Sequence, residues 1–366
     1  GPKRPTLTSQ KPPSDPSRRR QAKNSRFFEV SNCDPDRRRV SALPRHSQYD
    51  GEMERVKGIE PSYSAWEAAA LPLSYTRSGG KALATAGNGG QLAANRKRGC
   101  SMTEQVISIE SRGAIEVVSL NRPDRLNAMN EPLIQALLDY FTELQQRQDV
   151  RVVILRAEGR AFCAGLDLTG WSRDDNAGMI QQSWRTQRLI AAVMQAMRKC
   201  PQPIIACAQG PACGGGFSLL LSSDVRYGAP DLRMNAAYIK IGLGGCDMGA
   251  SYFLPRLVGS SVASEYLLTG RFMTADKAAA CGLISEIVPQ EALLDKALAL
   301  AGEMLLTSPM GLRLTKDALN LNIDAGSMEH AFALEDRQQV MLAQTADSME
   351  ARVAFFEKRD PRWENK

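Results

Sequence analysis

Two glycine turns hold the residue types that could do chemistry. One is residues 159–168, GRAFCAGLDL; the other lies inside residues 204–224, IIACAQGPACGGGFSLLLSSD. The second begins as a short apolar strand, breaks at Gly210-Pro211, passes through Gly214, Gly215 and Gly216, and resumes as an apolar helix-like run from Phe217. A strand feeding a glycine turn that opens a helix aims free backbone N–H groups at one point. Glycine also lets a ligand come close to that backbone. Two N–H groups from two separate turns are what a thioester oxygen needs when it becomes an oxyanion. Either turn alone reads as an ordinary tight turn. Their order and separation favour the paired reading.

Other chemistries are poorly supplied. From residue 102 on there is one histidine, His330 in a late helix, which argues against a Ser-His-Asp triad and a His-rich metal site. No metal is expected. No G-x-x-x-x-G-K-[ST] occurs, and the triple-glycine turn lacks dinucleotide spacing.

The elements that must position these turns follow from periodicity. Residues 106–110 and 114–120 alternate around Arg112-Gly113 and read as a hairpin. After the polar loop NRPDRLNAMN, Asn130 can cap a helix with Glu131 and Pro132 in its first turn. Leu133, Ile134, Leu137, Leu138, Phe141 and Leu144 form one apolar helical face. Residues 152–155 read as a buried strand. A polar loop through Asp174, Asp175 and Asn176 precedes a helix over 182–199, with Ile190, Val193, Met194 and Met197 inward. Residues 204–208 and 224–227 read as strands. Beyond a glycine cluster at 242–249 the chain reads as mostly helical. The class is α/β with a helical C-terminal part, divided into a core over 102–300 and a helical region over 301–366.

The 366 residues split by charge. Residues 1–101 hold 19 Lys+Arg against 9 Asp+Glu; the rest hold 27 against 31. The first hundred residues are rich in Pro, Ser and Arg, and such composition does not bury a core. They read as a disordered basic extension, with nucleic-acid binding or targeting as the functional alternative. Residues 56–77 resemble a wrong-frame reading through a transfer-RNA gene, which would make Met102 the natural start. The six cysteines beyond residue 101 form no C-x-x-C pair and read as buried free thiols of a reducing, cytoplasmic compartment. No apolar run reaches the ~18 residues of a membrane helix.

Residues 103–366 resemble the enoyl-CoA hydratase/isomerase, or crotonase, superfamily. The resemblance rests on NRPDRLNAMN, GRAFCAGLDL, QGPACGGGFSLLLSSDVRYG, LPRLVG at 254–259, LTGRFMTADKAAACGLISEIV and the ending FFEKRDPRW. It implies a crotonase spiral of ββα units with a C-terminal helical trimerisation domain, assembled as a homotrimer or homohexamer. It implies an acyl-CoA substrate, with coenzyme A bound as part of the thioester and no separate cofactor. The oxyanion N–H groups would be those of Leu166, after Ala164-Gly165, and of Gly215. Leu126, Asn127 and Ala128 would line the coenzyme A pocket beside Ala164. Phe355 and Lys358 would reach it from a neighbouring subunit; a lysine near a nucleotide phosphate makes electrostatic sense.

The pattern departs from the family at the two usual glutamates, which here are Ser218 and Tyr238. Neither can be a carboxylate base at neutral pH. The acid nearest in sequence is Asp247 in GLGGCDMG, a region where some family isomerases carry a catalytic aspartate. Among apolar and glycine neighbours its pKa should be raised, as suits a proton carrier. The alternative is that Asp247 caps the helix beginning near Met248-Gly249. Asp167 reads as ordering its own turn. Isomerisation or hydration of an enoyl-CoA is the expected reaction, with Tyr238 as an assisting donor. Thioester hydrolysis, C–C cleavage, and a silent or RNA-binding relative are the alternatives.

Overall fold

The computed structural model describes Gly1, residues 105–167, Thr169, Trp171 and residues 178–366. Apart from Gly1, the basic extension lies outside the described residues, as does the loop through Asp174, Asp175 and Asn176.

Strands β1 (Ile107–Arg112) and β2 (Ile115–Leu120) form the expected antiparallel hairpin. Helix α1 (Glu131–Glu143) begins where Asn130 Oδ1 accepts from the Leu133 N–H at 3.1 Å. Its buried face is Leu133, Ile134, Leu137, Tyr140 and Phe141. Strand β3 (Val152–Ala157) follows, then α2 (Met179–Lys199), whose Ile190, Val193, Met194 and Met197 are buried as the periodicity requires. Next come β4 (Ile204–Ala208), β5 (Pro211–Cys213), α3 (Gly215–Ser222), β6 (Val225–Gly228) and β7 (Arg233–Asn235). The later part holds α4 (Ala250–Val258), α5 (Ser260–Thr269), β8 (Met273–Thr274), α6 (Ala275–Ala280), β9 (Glu286–Ile287), α7 (Leu293–Leu305), α8 (Pro309–Asn322), α9 (Met328–Leu342) and α10 (Ala346–Glu357).

The larger sheet has the order β1-β2-β3-β4-β6-β9 and is parallel beyond β2; the smaller has the order β5-β7-β8. Each pass gives a strand to the larger sheet and then residues to a second edge. After β3 the chain pairs Cys163 with Ala212 of β5, and after β2 it pairs Met129 with Leu166. The repeating unit is a strand, a second strand or bridge, and then a helix. This is the spiral that the resemblance implies.

Side-chain alternation buries both faces of the larger sheet. Val153, Leu155, Ile204 and Ala206 pack with α1, α2 and α3, while Val152, Ile154, Ile205 and Cys207 pack with Leu293, Ala297 and Ala301 of α7. Lys316 of α8 is buried against the core. Its Nζ donates to the Gln202 carbonyl at 2.8 Å and pairs with Asp224 Oδ2 at 2.8 Å. Beyond it, α9 and α10 expose Phe332, Val340, Met341, Met349, Phe355 and Phe356.

Several expectations need adjustment. Helix α3 starts at Gly215, not Phe217, so two of the three glycines are inside it. Two-residue strands β8 and β9 interrupt the late helical stretch and join one sheet each. Cys163, Cys200 and Cys207 are buried free thiols, but Cys246 is exposed. Among the described residues no helix is long and apolar enough to cross a membrane.

Candidate active site

The two glycine turns are joined backbone to backbone. The Cys163 N–H donates to the Pro211 carbonyl at 3.1 Å, and the Cys213 N–H returns to the Cys163 carbonyl at 2.9 Å. An added Cβ on Gly216 would lie 2.3 Å from the Cys163 oxygen, so only glycine admits this approach. Gly214, at φ 51, turns the chain from β5 into α3, and its N–H donates to the Asn235 carbonyl at 2.9 Å. At the other end of α3, Arg226 is buried with its guanidinium on the Leu220 and Ser223 carbonyls. A cation there satisfies the helix C-terminus and suits the macrodipole.

Leu166 and Gly215 are both oriented as donors. The bridge to Met129 uses the Gly165 carbonyl and the Asp167 N–H, at 2.7 and 2.9 Å, which turns the intervening Leu166 N–H away. Gly215 is the first residue of α3, where an N–H has no intrahelical partner. Among the described residues neither N–H meets a backbone acceptor. A Cβ on Gly214 would stand 3.9 Å from Gly165 Cα, so the two turns face one space.

The loop before α1 supports this arrangement. Asn127 is fully buried at φ 54, and its side chain is committed to the backbone. Oδ1 accepts from the Arg122 N–H at 2.8 Å; Nδ2 donates to the Glu158 and Ala161 carbonyls at 2.8 and 2.9 Å. Asn127 therefore shapes the loop, and Leu126 beside it is half-buried. The Leu126 carbonyl takes the Ala164 N–H at 3.0 Å, and the buried Ala128 offers its carbonyl to Arg122. Arg122 also pairs with Asp167 at 3.1 Å. Burial pushes the Asp167 carboxyl up, but the Thr169 hydroxyl and N–H and the Arg122 charge together hold it below its ordinary value. Asp167 is thus a turn-ordering residue, as its position suggests.

Ser218, Tyr238 and Asp247 are brought together. Tyr238 is buried beside Gly214: a Cβ there would lie 3.7 Å from its ring. Burial first, and then the Asp247 charge, push its phenol above the ordinary value, while the Ser218 hydroxyl and the Asp247 N–H moderate the rise. Tyr238 therefore keeps its proton at neutral pH and can serve as a donor but not as a base. Neither the Tyr238 nor the Ser218 hydroxyl, both buried, has a well-formed hydrogen bond. Ser222 and Ser223 bond the carbonyl four residues back, at 2.8 and 2.9 Å; Ser218 does not.

Asp247 is half-buried. Its Oδ1 accepts from the Met248 N–H at 2.7 Å and from the Gln187 amide of α2. It does not cap α4 through its side chain: the residue before that helix is Gly249, at φ 88, and no side chain caps it. Gln187 has no signal in the sequence, since it lies 60 residues from its partner. Phe355 and Lys358 are exposed on and just after α10. Among the described residues neither makes a polar or ring contact with the glycine turns.

Residues 110–366 match the family model described as enoyl-CoA hydratase/isomerase. A protein of Mycobacterium leprae named "Probable enoyl-CoA hydratase" is 36% identical over 263 residues, 71% of this chain and 90% of that protein. The 1,2-epoxyphenylacetyl-CoA isomerase of Escherichia coli is 30% identical over 265 residues, 72% of this chain and 100% of that one. The crystal structure of an enoyl-CoA hydratase from Bacillus anthracis superposes with a TM-score of 0.67 at 30% identity, over 72% of this chain and 100% of that one.

The seam between the turns gives a direct test. Gly216→Ala forces a methyl group against the Cys163 backbone and must part the turns. The expected outcome is a lower melting temperature and a kcat reduced by about 10²-fold, the scale of a 1 Å misplacement. Steady-state kinetics with an enoyl-CoA, checked by circular dichroism, measure it; an unchanged kcat contradicts the geometry.

Proposed function

The chain belongs to the enoyl-CoA hydratase/isomerase family, and from that premise we propose that it isomerises an enoyl-CoA by moving one proton through Asp247. The thioester oxygen sits between the Leu166 and Gly215 N–H groups. Asp247 removes a proton from the acyl chain, and the charge that develops passes to the thioester oxygen. The N–H pair favours this enolate over the neutral thioester, which is how it lowers the barrier. The same carboxylic acid then returns the proton to a different carbon, and the double bond has moved. Tyr238, protonated, assists as a donor.

The observation that carries this reading is that the Asp247 charge acts on the buried Tyr238, which also meets the Ser218 hydroxyl; Ser218 and Tyr238 are the two positions where the family resemblance would place glutamates. Asp247 supplies a half-buried carboxylate beside Tyr238, which supports its role as the proton carrier. The two unpartnered hydroxyls favour a second reading, hydration, in which they hold the attacking water. Incorporation of labelled water oxygen into the product separates the two.

The coenzyme A moiety is assigned to the loop carrying Leu126 and Ala128, near Ala164, with Phe355 and Lys358 reaching it from a neighbouring copy. The apolar side chains exposed on α9 and α10 support assembly through those helices. Light scattering is expected to give the mass of a trimer or hexamer; a monomer that turns over acyl-CoA contradicts both the assembly and the shared pocket.

Asp247→Asn keeps the size of the side chain and cannot take a proton. The expected loss in kcat is about 10²–10⁴-fold, the range for a general base, with acyl-CoA affinity and folding little changed. Near-normal turnover by the folded variant refutes the assignment.

A further inference from the structure

Asp247 is held from one side only. The Gln187 amide and the Met248 N–H converge on Oδ1, and no donor among the described residues reaches Oδ2. A carboxylate with both donors on one oxygen has a fixed plane and a free second oxygen. The Met248 bond comes from the adjacent residue and would swing with the turn. Gln187 comes from α2, which is anchored in the core through Ile190, Val193, Met194 and Met197. It therefore ties the carboxylate to the rigid part of the molecule.

We infer that Gln187 is the positioning residue of the reaction: its amide holds Asp247 Oδ1, so that Oδ2 is the oxygen that takes and returns the proton. The inference rests on the reading of Asp247 as the proton carrier. The chemistry demands such a device. A base that must reach two carbons in turn works only if its free oxygen keeps one orientation between the two transfers. An exposed glutamine on a core helix supplies this without adding a charge.

Among the described residues, the titratable groups near Asp247 and Gln187 include Tyr238, Cys246, Arg185 and Arg188. Tyr238 approaches from the turn Ala237–Ile241 and stays protonated, and Cys246 is its exposed chain neighbour. Arg188, next to Gln187 on α2, is directed over the Trp184 ring at 5.9 Å.

The test uses the full chain, an enoyl-CoA substrate and the pH dependence of kcat/KM. Gln187→Leu removes the donor and is expected to lower kcat by about tenfold, the effect of one hydrogen bond to a charged group, with KM nearly unchanged. Gln187→Glu places a second carboxylate beside the first. Two like charges resist joint ionisation, so the basic form of Asp247 appears later, and the acid limb of the profile should move up by about one pH unit or more. A purely structural role for Gln187 predicts something else: lower melting temperatures in both variants and an acid limb that stays in place. That result overturns the inference. Asp247→Asn is run beside them. If it is inactive while both Gln187 variants keep the wild-type limb, Gln187 alone is misassigned. If it is fully active, the role of Asp247 falls and that of Gln187 falls with it.

Discussion

The close approach of α3 to the Cys163 backbone is the constraint on which the rest depends. A helix cannot normally lie this near a neighbouring strand, because its Cβ atoms keep the backbones apart. Here Gly216 removes that barrier, and the Cys163–Pro211 and Cys213–Cys163 bonds fix the distance. Next to this seam, the bridge to Met129 and the start of α3 leave the Leu166 and Gly215 N–H groups without backbone acceptors among the described residues. Unpaired backbone donors cost stability in a folded protein. Gly215 is buried, and the proposed oxyanion is a partner that would use its N–H together with that of Leu166.

Around that seam the polar groups divide into two kinds. Three that shape the loops are well satisfied. Asn127 uses both ends of its amide, Asp167 is held by Arg122 and Thr169, and Arg226 closes the far end of α3. Those that face the space are not: the Ser218 and Tyr238 hydroxyls lack good partners, and Asp247 has one oxygen free. This contrast separates scaffold from chemistry better than burial does, since Asn127 and Ser218 are equally buried.

Much of this was legible in the sequence, and the reasons differ by residue. The triple glycine after an apolar strand announced the turn, because few other arrangements need three glycines in a row. Asn130 announced its helix through local capping chemistry. The apolar runs of β3 and β4 announced buried strands. Side-chain direction was not legible: nothing local says that Asn127 points inward or that the Asp247 carboxylate turns from α4 toward α2. Gln187 was illegible because its partner is remote in the chain, and β8 and β9 because two residues carry no period. Cys246 looked buried by its glycine neighbours, yet that loop runs along the surface.

Polarisation of the thioester carbonyl by two backbone N–H groups is the central claim. Difference infrared spectroscopy with an acyl-CoA labelled with carbon-13 at that carbonyl measures the polarisation directly. The account predicts that the labelled band of the bound ligand moves to lower frequency than in water, because two fixed donors weaken the C=O bond more than solvent does. A bound ligand whose band stays at its solution frequency would contradict it.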